Sequence, residues 1–139
     1  MITIKNNIIP FGNYKAINLF GIVFYKGKPL SEKVLNHEGI HSKQMLEMGI
    51  VGIIITFLLY IIFNISLWYL LLGISAFYIW YGIEFLINFF FHFNFHDAYH
   101  DISLEEEAYN YDDNLAYLNI RKNFKWLEYI KPKSYKKES

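Results

Sequence analysis

Patterns of apolar and polar positions succeed one another along this chain. The run Ala16-Ile17-Asn18-Leu19-Phe20-Gly21-Ile22-Val23-Phe24-Tyr25 is apolar and rich in β-formers, and Lys26-Gly27-Lys28-Pro29 ends it as a turn. Residues 1–30 therefore read as a β-hairpin that covers the helices, or whose edge pairs with an extended peptide. Ser31 then fits a helix N-cap, with Glu32 in the first turn. Between Glu47 and Glu84 charge disappears for 36 consecutive residues, most of them Ile, Leu, Phe, Tyr or Trp. A spanning helix needs about 20 apolar residues, so this run is too long for one crossing and close to enough for two short ones. Asn64-Ile65-Ser66 is its most polar point. The pattern predicts a helix over 31–63 that continues into a first span, and a second span over 66–95. Trp68, Tyr69, Tyr78, Trp80 and Tyr81 fit aromatic belts at the lipid–water boundary.

Beyond the apolar run the period becomes that of a half-buried helix. Ser103-Leu104-Glu105-Glu106 has the form of a capping box, with Glu106 reaching back to the helix start. Leu104, Ala108, Tyr111, Leu115 and Leu118 recur at helical spacing and predict a helix over 103–121. At about 100° per residue, Glu106 points away from that face. Glu105 and Asp112 lie at one edge of it and Glu107 at the other, so Glu105 and Glu107 can both reach inward. Residues 131–139 read as a basic tail able to rest on anionic lipid. The sum is a single-domain, mainly α membrane protein: a two-span helical hairpin, a short N-terminal β-hairpin, and an acidic C-terminal helix packed on the helix of 31–63.

Composition supports lipid over water. The chain has 139 residues, 54% hydrophobic and 20% aromatic, and so small a chain could hardly cover such a hairpin on all sides. Formal net charge is zero, which gives nucleic acid no electrostatic hold. There is no cysteine, so disulfides, thiolate metal sites and cysteine nucleophiles are excluded. The first ten residues lack the apolar core and cleavage site of a signal peptide. Lys5, Lys15, Lys26, Lys28, Lys33 and Lys43 precede the apolar run, and Arg121, Lys122, Lys125, Lys131, Lys133, Lys136 and Lys137 come after it. The hairpin tip has no positive charge, which places both termini in the cytoplasm.

The chemistry begins at Asn36-His37-Glu38-Gly39-Ile40-His41. On a helix, residues four apart share a face, so His37 and His41 can offer two imidazoles to one metal ion. Glu38 then sits where it can take a proton from the attacking water. With 5 His among 139 residues, chance would supply only about 0.01 such H-E-x-x-H patterns. Gly39 leaves space beside the metal, and Gln44 lies further along the same face. A catalytic zinc wants three protein ligands. The third would be Glu105 or Glu107, because two spans return the acidic helix to the side it left. His92, His96 and His100, at i, i+4 and i+8, form a rival cluster.

H-E-x-x-H followed by E-x-x-A on a second helix resembles the gluzincin metallopeptidases, including their membrane branch. The phrases Asn36-His-Glu-Gly-Ile-His-Ser-Lys-Gln44 and Ile102-Ser-Leu-Glu-Glu-Glu-Ala-Tyr109 also look like a group of small bacterial membrane proteins. The resemblance implies one zinc ion per chain, held by His37, His41 and Glu105, with Glu38 as general base. It implies a polypeptide substrate at the cytoplasmic face of a bacterial inner membrane. The family commonly has an aspartate where this chain has Tyr109; Asp112 is the candidate to orient a zinc histidine instead. Tyr109, Tyr99 or Tyr25 could donate to the oxyanion. Two rival expectations are a di-iron membrane oxidoreductase using His92, His96 and His100 with His37 and His41, and a non-catalytic, metal-stabilised adaptor. A homodimer would cover part of the lipid-facing surface.

Overall fold

The computed structural model describes residues 2–6, 8–10 and 15–130. The expected basic tail, 131–139, lies outside them. The fold is mainly helical, with strands confined to the N-terminal part: β1 (Ile2–Lys5), β2 (Ala16–Leu19) and β3 (Ile22–Tyr25). The strand order is β1-β3-β2, with β1 parallel and β2 antiparallel to β3. The hairpin turn falls inside the apolar run, not after it. Phe20 and Gly21 both have positive φ, 53° and 81°, the combination whose twist suits a two-residue hairpin. Asn18 Oδ1 accepts the Gly21 N–H at 3.0 Å, and Asn18 Nδ2 donates to the Glu38 carbonyl and to Ser42 Oγ. One polar residue in an apolar strand thus both shapes the turn and docks the sheet on the long helix.

That helix, α1 (Glu32–Phe63), starts at Ser31, whose side chain accepts the Val34 N–H. It has two halves of different character. In the first half Asn36, Ile40, Gln44 and Met48 repeat every four residues and are buried, as one face of an α-helix packed on a neighbour must be. From Ile50 to Phe63 most of the large apolar side chains are exposed. This helix is long and apolar enough to cross a membrane.

The second span expected over 66–95 does not form as one helix. A 3₁₀ turn (Leu67–Tyr69) leads into α2 (Leu70–Ile74), and α3 (Ala76–His92) departs at 58° after a break at Ser75. Before the break α2 packs closely on α1: a Cβ on Gly52 would lie 2.3 Å from the Gly73 carbonyl oxygen. Two backbones touch where α2 crosses α1, a contact only glycine permits. Trp68 and Tyr69 are exposed at the hairpin tip. Trp80 and Tyr81 turn toward the core, with Trp80 packed on Trp126 at 5.6 Å between ring centroids. Tyr78, like them, is half-buried against the core.

After α3, Phe93 adopts a left-handed conformation and Asn94 caps α4 (Phe95–His100). Asn88 Nδ2 donates to the Ala98 carbonyl, folding α4 back on α3. The acidic helix α5 (Ser103–Tyr111) is shorter than predicted, and the expected capping box is absent. Glu84 of α3 does the capping instead, accepting from the Ser103 N–H at 2.9 Å and from its hydroxyl at 2.7 Å. At the other end the Asn36 amide donates to the carbonyls of Tyr111, Asp112 and Asn114. These bonds tie the end of α5 and the turn after it to α1. A short α6 (Tyr117–Ile120) and a 3₁₀ turn (Lys125–Tyr129) complete the described chain. Leu115, predicted to be buried, is exposed in the break, while Leu118 packs against Gly39. A Cβ on Gly39 would lie 2.7 Å from Leu118 Cδ1; the space this glycine leaves belongs to Leu118, not to a metal.

Arg121 locks α1 to α5. Its side chain is 3% exposed and pairs with Glu107 at 2.6 Å and with Glu47. Removing one partner of a buried pair strands an uncompensated charge, at a cost of about 3–5 kcal/mol. Arg121→Met is therefore expected to lower unfolding stability by about that amount, read by urea denaturation in detergent. A loss below about 1 kcal/mol would show that the pair behaves as an exposed one.

Candidate metal centre

One turn of α1 separates His37 from His41, and the first turn of α5 presents Glu105 to both. His41 Nε2 lies 3.1 Å from His37 Nε2. Glu105 Oε1 is 3.3 Å from His41 Nε2, and Oε2 is 3.4 Å from His37 Nε2. These three residues form a group that could hold a metal ion. The spacing fits: donors about 2.0–2.1 Å from one tetrahedral centre stand about 3.3–3.4 Å apart. A second observation points the same way. Glu105 Oε2 is buried and has no hydrogen-bond partner, which native structures seldom tolerate unless an ion or water is bound.

The surroundings hold each donor in place. Tyr81 donates to Glu105 Oε1 at 2.8 Å. Gln44 Oε1 lies 2.8 Å from His41 Nδ1, so Gln44 occupies the supporting position the sequence offered it. Burial pushes the His41 imidazolium down, but Glu105 and Glu38 outweigh that and raise its pKa to about 9. Burial likewise pushes the Glu105 carboxyl up, and His41 and His37 override it, holding Glu105 well below the usual carboxylate range. Without metal, His41 and Glu105 thus form a buried ion pair. A metal must displace the His41 proton, so its affinity is proton-linked. The apparent zinc Kd is expected to tighten about tenfold per pH unit toward pH 9 and then level off. Titration against a chelator buffer measures it, and a flat profile from pH 6 to 9 would contradict His41 as a ligand.

A cavity of about 430 Å³ opens beside these donors, lined by Ala16, Ile17 and Asn18 of β2, by Met45, Phe77, Tyr78, Tyr81, Phe85 and Tyr99, and by His37, Glu38, His41 and Glu105. Burial raises the Glu38 carboxyl above its ordinary value, against the opposing pull of His41 and His37. Of the three tyrosines considered as donors, Tyr99 lines the cavity, whereas Tyr25 and Tyr109 do not. Burial and then Glu105 push the Tyr99 phenol up, so it stays protonated and able to donate. Tyr109 instead packs its ring 4.8 Å from that of His37.

Several sequence candidates fall elsewhere. Glu107 accepts from Gln44, Tyr117 and Arg121 and is spoken for as a structural acid. Asp112 pairs with Lys33 at 3.2 Å and does not take the place of the family aspartate. The rival histidines do not converge. The break at Phe93 separates them: His92 bonds Asp101, while the His96 and His100 rings lie tilted against each other and His100 against Tyr109. Among the described residues, His37, His41 and Glu105 are the only such donor group. Sequence reasoning missed Tyr81, Glu84 and Arg121. Glu84 carried a signal as the first charge after the uncharged run; Tyr81 carried none that set it apart from the other aromatics. No family model, curated protein or solved structure matches this chain.

Proposed function

We propose that this protein is an integral-membrane zinc metallopeptidase acting on membrane-bound or membrane-proximal polypeptides. The observation that carries the reading is the convergence of His37, His41 and the orphaned Glu105 Oε2 beside Glu38 in one cavity. A zinc ion held there would supply Lewis acidity and lower the pKa of a water to about 7. Glu38 takes a proton from the attacking water as oxygen bonds to the peptide carbonyl carbon. It then delivers that proton to the leaving nitrogen as the C–N bond breaks. Tyr99 donates to the oxygen on which negative charge develops. Among the described residues, β2 beside the cavity pairs with β3 along one edge only, so its other edge suits an extended substrate segment. The exposed apolar half of α1 sits in lipid, where exposed apolar surface of that extent belongs. The basic segments flanking the apolar run support a site on the cytoplasmic side.

The test is metal analysis of the purified full-length protein, with cleavage of quenched fluorescent peptides tethered in proteoliposomes. One zinc per chain, cleavage lost to a chelator, and recovery with zinc support the proposal. An iron pair, or zinc with no cleavage of any tethered peptide, would overturn it.

A further inference from the structure

The histidine that lies deepest in this site is held by a polar chain that leads away from the cavity. Gln44 is fully buried on α1, next to His41. Its amide nitrogen faces two acceptors, the Leu104 carbonyl at 3.0 Å and Glu107 Oε2 at 3.0 Å. An amide nitrogen can only donate and its oxygen can only accept. The Gln44 amide therefore has one orientation, with Oε1 toward His41 Nδ1 at 2.8 Å. An acceptor there requires the proton on Nδ1, which leaves the lone pair of the neutral ring on Nε2. That is the nitrogen that faces His37 and Glu105.

Glu107 is in turn fixed by three groups. Tyr117 Oη donates to Oε1 at 2.8 Å, Arg121 Nε to Oε1 at 2.6 Å, and Arg121 Nη2 to Oε2 at 3.1 Å. Arg121 also bridges to Glu47 on α1. With Glu107 so occupied, a buried acid two residues from Glu105 is kept from competing for a metal.

We propose that Gln44, oriented by Glu107 and Arg121, is a positioning residue that fixes the His41 tautomer and so sets the metal affinity of the site. The inference rests on the metal-site reading above. It differs from the usual carboxylate support of a metal-bound histidine in using a neutral amide, so it fixes direction without adding a negative charge beside the ring.

Two variants of the full-length protein test it, Gln44→Leu and Gln44→Met, which both remove the acceptor and fill its space differently. Zinc affinity is measured by chelator competition, and the His41 tautomer by ¹⁵N NMR of the metal-free protein well above pH 9, where the ring is neutral. Each variant is expected to weaken zinc binding about 10- to 100-fold and to lose the Nδ1 proton from the neutral ring. Zinc binding within threefold of wild type in either folded variant overturns the proposal. Wild-type protein that binds no zinc would sink the metal-site reading itself. The neutral-ring Nδ1 signal would then decide the relay alone: it stands if that proton is lost in the variants and falls if it is not.

Discussion

Glu38→Gln is expected to abolish peptide hydrolysis while leaving one zinc ion per chain. Glutamine keeps the shape of the side chain and loses the ability to accept a proton and pass it on, a function worth about 10²- to 10⁴-fold in rate. Glu38 is not among the three converging donors, and its backbone is held independently, through its carbonyl, by Asn18 and Ser42. The substitution therefore removes the base without loosening α1. The pH profile gives a second reading. A base must be ionised, and burial raises the Glu38 pKa above its ordinary value, so wild-type activity should fall as pH drops through that raised value. Turnover in proteoliposomes, with zinc measured on the same preparation, checks both points. Activity within threefold of wild type in a zinc-loaded Glu38→Gln protein would remove Glu38 from the mechanism.

The two histidines and the start of α1 were legible because the information is local. Ser31 caps α1, and His37 and His41 share a face through helix geometry alone. The third donor was legible only as a pair of alternatives, since Glu105 and Glu107 both reach inward from α5. What separates them is Arg121, 14 residues beyond Glu107, whose place depends on how the chain turns after Tyr111. That turn is set by Asn36 from the opposite helix. The bend at Ser75 was hidden for a similar reason: apolar content predicts a span and carries no sign of the break, nor of the close backbone approach of Gly52 and Gly73 that precedes it. The capping box failed in the same way. Ser103 and Glu106 had the right spacing, but Glu84 reached the helix start from another element. Local signals placed the motif; partners far along the chain decided where helices break and which of two inward acids meets the histidines.

Glu105→Ala and Glu107→Ala are expected to fail in opposite ways. Glu105 contributes its carboxylate to the donor group, and without it His41 can shed its proton while Tyr81 loses one acceptor, a smaller cost than stranding an arginine that cannot. Removing Glu105 should weaken zinc binding by more than the roughly 100-fold that losing an outer partner costs. Glu107 contributes to the fold: it is fully buried and takes hydrogen bonds from Gln44, Tyr117 and Arg121. Its removal leaves Arg121 with Glu47 alone and should cost about 3–5 kcal/mol of stability. Protein that does fold should keep zinc binding to within the roughly 10- to 100-fold range of an outer partner. Measuring denaturation and zinc affinity on both variants separates the roles, because each residue is predicted to dominate a different measurement. Should Glu107→Ala lose zinc more completely than Glu105→Ala while keeping its stability, the third ligand would be Glu107, and α5 would have to rotate by much of a turn from the position its contacts with Arg121 and Gln44 now hold.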